Sequence, residues 1–545
     1  MGATRRGFCA AAAIALVASL AACQSDRGGG RSAASPAGSS GSPGSAGAST
    51  APKAPASSRA TADPRCEPAA SAPKRQLRGM WISTFGNLDW PSKPGLPVAE
   101  QKRELTGYLD MAVRLHMNAV FIQVRDRADA FYKSSYEPWS QALTGTPGRD
   151  PGYDPLAFMV TEAHRRNLQL HAWFNPFQVT TEGDKPLPKD HPARTHKSWT
   201  HRFQGRLYYD PGVPAVRSFV ERVINEVVRK YDIDGVHFDD HFYPYPQPGQ
   251  TFHDDAAYKE HGRGMGKGAW RRQNVDTFVR QVGEQTHKAK PWVWFGVSPF
   301  GIWRNKSSDA HGSDTDGLES FDSVYADTRL WVRKGWVDYV APQLYWSMGD
   351  RAASYRTLVR WWAGLAGEAP KGKPVRLFIG QAAYRVKKSS TDPAFRSGAE
   401  LTRHLSENAK YPRVDGDIYF SARDLSADRR AMAHKLIDGP YRHPALPPAM
   451  TRAPGGDPPA VTGLNVSRGG GGARLSWSPV HGAAAYAIYR FGKAPGRCGL
   501  ADARHLVATV RGTAYDAAAE RGHYYVTALT RTTRESATGT AATVG

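Results

Sequence analysis

Between about Arg75 and Tyr441 the chain repeats one pattern eight times: a short apolar run, then a longer stretch with helical periodicity. The runs are 79–83, 119–124, 170–173, 235–239, 293–297, 339–342, 377–380 and 417–420. The helical stretches include 98–115, 155–167, 214–230, 270–288, 352–365 and 401–408, and a last one, 427–438, follows the eighth run. Eight such units predict an α/β fold, a (β/α)8 TIM barrel with its site at the C-terminal ends of the strands. An open doubly wound sheet is the alternative, but the glycine-rich phosphate loop it usually carries is absent.

The fourth run carries the most chemistry: Tyr231-Asp-Ile-Asp-Gly-Val-His-Phe-Asp-Asp-His-Phe-Tyr-Pro244. Alternation directs Val236 and Phe238 toward the helices and puts His237, Asp239 and His241 on the inner face, with Asp240 at the rim. A buried carboxylate is costly unless its face opens on a site. Glycoside hydrolysis needs one carboxyl group to protonate the leaving oxygen and a second as nucleophile or base, so Asp239 and Asp240 are the candidate catalytic acids. Asp129 and Asp327 are alternative partners for Asp239, while Asp338 precedes its strand and reads as structural. The plainer alternative has Asp239 and Asp240 only capping the following loop.

Other strand ends converge in polar and aromatic character. Trp173, Tyr345 and Trp346 are suited to stacking on sugar rings, and Asn175, Gln343 and Arg125 to bonding hydroxyls; Asp129, His171, His237 and Arg304 complete the candidate substrate-binding set. His237, Asp239, Asp240 and His241 are also metal-ligand types, but no further ligand suggests itself, and neither a metal nor a cofactor is assigned.

Outside the barrel, composition carries the reading. Arg5, Arg6 and the apolar run 10–20 resemble an export signal, and Leu20-Ala-Ala-Cys23 resembles a bacterial lipobox, which makes Cys23 the candidate lipidated residue of a membrane-anchored, extracytoplasmic protein. Residues 24–73 are Ser, Ala, Gly and Pro with few large apolar side chains, and read as a tether. With Cys9 removed and Cys23 acylated, Cys66 and Cys498 remain as a candidate disulfide, two unrelated thiols being the alternative. The net charge of +22 fits attraction to anionic wall polymers or lipid head groups better than nucleic acid, because the basic residues are spread out. After a proline-rich linker, 446–458, short alternating runs in 459–545 resemble a small all-β fibronectin type III sandwich with Trp477 in its core. The barrel itself takes 74–445.

Six ordered motifs carry a further resemblance: Arg78-Gly-Met-Trp-Ile-Ser-Thr84, Gln123-Val-Arg125, His171-Ala-Trp-Phe-Asn-Pro176, Asp234-Gly-Val-His-Phe-Asp-Asp240, Ser298-Pro-Phe-Gly-Ile-Trp-Arg304 and Asp338-Tyr-Val-Ala-Pro-Gln-Leu-Tyr-Trp346. Together they resemble the glycosyl-hydrolase-like family 10 domain of bacterial lipoproteins. The resemblance implies a TIM barrel and hydrolysis of cell-wall glycan, with peptidoglycan strands as the substrate. A non-catalytic glycan-binding lipoprotein is the competing class. A more distant likeness to the chitinase strand-four pattern fails at His237 and at His241, which stands where that pattern has its catalytic glutamate.

Overall fold

The computed structural model describes Cys66 and residues 72–428, 431–469, 472–496, 498–517 and 521–544. The export signal, Cys23 and nearly all of the tether lie outside the described residues. Eight parallel strands form a closed barrel: β1 (Leu77–Ile82), β2 (Ala119–Arg125), β3 (Gln169–Phe174), β4 (Gly235–Phe238), β5 (Trp294–Val297), β6 (Tyr339–Val340), β7 (Arg376–Gln381) and β8 (Val414–Tyr419). Their order around the ring follows the chain, with β8 closing on β1 through the Gly79–Ile418 register. Helices such as Val98–Arg114, Pro155–Arg165, Pro214–Lys230 and Lys267–Ala289 cover the outside. Local signals set their starts: Asp154 accepts from the backbone N–H of Ala157, and Pro155 takes the first helical turn. Of the helix expected over 427–438, Met432–Ile437 is helical, and a separate short helix, Ala422–Ser426, precedes it.

The barrel interior is filled by large rings set against glycines. A Cβ on Gly235 would lie 2.2 Å from His171 Nδ1, one on Gly296 2.3 Å from the Tyr339 ring, and one on Gly79 2.8 Å from the Phe121 ring. Neighbouring strands thus alternate bulk with vacancy, which lets aromatic and imidazole rings pack across the axis.

The segment 446–453, read from sequence as part of a linker, packs against the N-terminal mouth of the barrel. Met450, 1% exposed, and Ala453 join Leu77, Trp294 and Phe378 in one apolar cluster. Arg452 donates to the Val337 carbonyl at 2.8 Å and pairs with Asp338 at 2.9 Å. An open barrel end exposes apolar side chains, and this segment covers them.

Beyond it lie two small antiparallel sheets. With β9 (Asn465–Gly469), β10 (Gly472–Ser476), β11 (Ala485–Phe491), β12 (Leu506–Val510), β13 (Ala514–Asp516), β14 (Gly522–Leu529) and β15 (Ala542–Val544), the strand orders are β9-β10-β13 and β12-β11-β14-β15. Leu475, Trp477, Tyr486, Ile488 and Val526 share their core. This module docks on the N-terminal face of the barrel. Glu535 pairs with Lys74 at 2.9 Å and Arg75 at 3.1 Å, and accepts from the Tyr489 hydroxyl at 2.6 Å. Arg531 reaches Asp234 at 3.2 Å, and Asn167 donates to the Thr509 carbonyl at 2.7 Å. Cys66 and Cys498 form a disulfide across 432 positions of sequence.

Candidate active site

At the opposite face, β4 ends at Phe238 and the chain turns sharply. Val236 and Phe238 pack outward in the main core, whereas His237 and Asp239 face the axis. The turn is tied by the backbone N–H of His241 donating to Asp239 Oδ1 at 3.1 Å. It brings His241 Nδ1 to 3.0 Å from Asp240 Oδ1 and 3.6 Å from Asp239 Oδ2. Asp239 is 6% exposed; Asp240, expected at the rim, is 3% exposed. The Tyr245 hydroxyl donates to Asp240 Oδ2.

These contacts set the charges. Burial works to raise the Asp240 pKa, but the charge of His241 and the Tyr245 hydroxyl outweigh it and hold the carboxyl below its usual value. Burial opposes a proton on His241, yet Asp239 and Asp240 together raise the ring well above the ordinary imidazole value. Burial, followed by the nearby Asp240 charge, pushes the Tyr245 phenol far up. Among the described residues, Asp239, Asp240 and His241 form the group of three whose carboxylate and imidazole atoms come within 4.8 Å of one another.

One layer below, His237 leaves no nitrogen for substrate. Trp81 donates its indole N–H to His237 Nε2 at 3.0 Å, and Nδ1 meets the Tyr339 hydroxyl at 3.0 Å. The same hydroxyl meets His171 Nδ1 at 3.1 Å, and His171 Nε2 faces Gln169 Oε1 at 3.4 Å. Burial lowers both rings, His171 to about 4 and His237 well below the ordinary imidazole value, so both are neutral. His171 and His237 are therefore a packed, hydrogen-bonded floor, which corrects the expectation that they touch substrate.

Arg125 is corrected in the same way. It is fully buried, clamped by Glu137 at 2.6 and 2.7 Å, and donates to the Asn175 and Pro176 carbonyls. Its place in the site is indirect: it holds the backbone of Asn175, whose Oδ1 accepts from Trp173 Nε1 at 3.0 Å. Trp173 Nε1 also stands 3.3 Å from Asp239 Oδ2. Arg304 lies on the loop after β5, held among Asp309, Glu319 and Asp322 at 3.3 to 3.4 Å, so its guanidinium is already matched. Asp129 lines a small surface pocket with Arg127, Trp139, Asp184 and His191, whose walls include neither Asp239 nor Asp240. Beside it, burial lifts Asp126 to about 7 against the pull of Arg127. Asp327 caps the helix Thr328–Lys334, accepting from Leu330 N and Trp303 Nε1 at 3.1 Å each. Asp338 is tied to His287 and Arg452 at the far end, in its structural place.

The mouth is rimmed by half-buried aromatics. Tyr345 meets Tyr384 edge-on at 5.7 Å, and Tyr384 meets Phe420 at 6.0 Å. Tyr245 approaches Phe300 at 6.2 Å, and Phe300 meets Trp346 at 5.5 Å. Burial, then Tyr384, then Asp240 and Asp239 raise the Tyr345 phenol, so this ring faces the acids. Gln343 Nε2 donates to the Ser298 carbonyl at 3.0 Å, joining the ends of β5 and β6. Reading strand ends alone missed Tyr245, Phe300 and Phe420. Tyr245 was signalled by its place in the Asp240-to-Tyr245 run; nothing local marks the other two.

The glycosyl hydrolase-like 10 family matches residues 76–397. The chain is 44% identical over 428 residues to the glycosyl hydrolase YngK of Bacillus subtilis, covering 76% of this chain and 83% of that protein. It is 38% identical over 382 residues to the glycosyl hydrolase DigH of Escherichia coli, covering 65% of this chain and 86% of the relative. Among solved structures, the PgaB (BpsB) glycoside hydrolase domain from Bordetella bronchiseptica aligns with a TM-score of 0.43 at 12% identity, over 66% of this chain and 98% of that one.

Proposed function

The chain belongs to the glycosyl hydrolase-like 10 family, and from that premise we propose that it is a lipid-anchored glycoside hydrolase cleaving cell-wall glycan, in particular peptidoglycan strands. The observation that carries the activity is the pairing of Asp239 and Asp240 at the mouth of the barrel, beneath a rim of half-buried aromatic rings. Carboxylates at that position serve glycosidic bond cleavage, and flat rings serve sugar stacking. The extracytoplasmic location is supported by the lipobox at Cys23 and by the Cys66–Cys498 disulfide, which suits an oxidising compartment. The net charge of +22 favours an anionic wall. The seven-stranded C-terminal module resembles a fibronectin type III domain, and no chemistry is assigned to it.

The test is incubation of the full-length protein with purified, peptide-free glycan strands. New reducing ends, absent with Asp239→Asn, are expected. Retention on the wall without cleavage would make the protein a glycan receptor instead.

A further inference from the structure

Both oxygens of Asp240 are engaged: Oδ1 faces His241 Nδ1 at 3.0 Å and Oδ2 accepts from the Tyr245 hydroxyl, and the carboxyl is held ionised. A glycosidase needs a group that can give a proton to the leaving oxygen. The side chain of this turn placed to do so is His241, whose ring both aspartates favour in its charged form. Its Nδ1 is shielded from solvent and turned toward both aspartates, while 41% of the side chain is exposed, so the ring edge carrying Nε2 faces the open mouth.

Resting on the reading above and deepening it, we propose that His241, rather than a carboxylic acid, delivers the proton to the leaving glycosidic oxygen. In the first half-reaction an Asp239 oxygen bonds the anomeric carbon while the bond to the leaving oxygen breaks, and that oxygen takes the Nε2 proton. Asp239 loses its negative charge as it becomes an ester. One of the two charges that hold the proton on the ring is thereby removed when transfer is needed. In the second half-reaction the neutral ring takes a proton from water, the water oxygen bonds the anomeric carbon, and the Asp239 carboxylate is released. The sum is addition of water across the bond. Asp240, fixed by Tyr245, keeps its charge throughout and positions the ring. The titratable groups facing the ring are Asp239 and Asp240 on its own turn, Tyr245 beside it, with ring centroids 5.5 Å apart, and Tyr345 across the mouth.

The experiment compares His241→Ala and His241→Gln with wild type on two substrates: peptide-free glycan strands, and the 2,4-dinitrophenyl glycoside of the same sugar, whose leaving group needs no proton. Expected is a loss of about 10² to 10⁴ in kcat/KM on the glycan and less than tenfold in kcat/KM and in the initial burst of dinitrophenolate on the activated glycoside, the readouts of the first half-reaction alone. A merely structural role would slow both substrates alike, and that result, or no loss on the glycan, overturns the proposal. Unchanged thermal melting of either variant separates chemistry from misfolding. A wild-type protein that releases no reducing ends from the glycan would instead remove the activity itself.

Discussion

The indole nitrogen of Trp173 stands 3.3 Å from Oδ2 of Asp239 while also donating to Asn175 Oδ1 at 3.0 Å. In Asp239→Asn the single amide oxygen can keep only one of the two donors the carboxylate accepts, Trp173 Nε1–H or the His241 N–H. We expect the variant to fold with a modestly lowered melting temperature and to lose about 10³-fold or more in turnover on glycan strands. Activity within tenfold of wild type would remove Asp239 from the chemistry.

The C-terminal module meets the barrel at the N-terminal face, away from Asp239. Truncation after Gly455 should therefore preserve turnover on a soluble oligosaccharide. It removes the Cys66–Cys498 bridge and the Lys74–Glu535–Arg75 pairing, so the melting temperature should fall, by the equivalent of about 2 kcal/mol or more. Truncation after Tyr441 also removes Met450 and Arg452 and should melt lower still. Lost turnover in a folded Gly455 truncation would mean that the module completes the site.

Stability should fall in acid through His171. Its folded pKa, about 4, lies below the unfolded value of about 6.5, so the folded state binds the proton less readily. The stabilisation from keeping the ring neutral is present above about pH 6.5 and is lost as pH falls toward 4, worth up to about 3 kcal/mol. Denaturant melts across that window should show the decline in wild type and a shallower one in His171→Gln. Parallel slopes in the two proteins would exclude the ring as the cause.

Gly296→Ala should be severe although only a methyl group is added. Its Cβ would fall 2.3 Å from the Tyr339 ring, which cannot yield without breaking its bonds to His171 and His237. A loss of about 3 kcal/mol, or failure to fold, is expected. A melting temperature within two degrees or so of wild type would show that the ring has room to move.

On the proposed reading a lipid on Cys23 is what holds the protein at the membrane, so Cys23→Ala should move it to the soluble fraction. Sedimentation with membranes that survives a high-salt wash would contradict a lipid at Cys23. Salt-sensitive retention would point to the basic surface.

The barrel was legible because periodicity is local. Pro214–Lys230 was read to its observed bounds, and all eight strands lie where alternating apolar runs placed them, within a few residues. The faces of β4 were legible for the same reason: one residue of strand reverses the side chain, so Val236 outward implies His237 inward. Asp239 at the mouth followed.

What sequence left open are the partners that arrive from far along the chain. Arg125 at a strand end looks the same whether it meets sugar or Glu137, and His237 the same whether it meets substrate or Trp81, 156 positions away. The 446–453 segment has a linker's composition, yet its Met450 covers the barrel floor. Nor does adjacency of Asp239, Asp240 and His241 say that the turn folds the ring between the two carboxylates. Sequence fixes which way a strand residue faces, because pleating is a property of the backbone. Whether that residue is free for a ligand depends on which distant group fills the space in front of it, and only the closed barrel decides that.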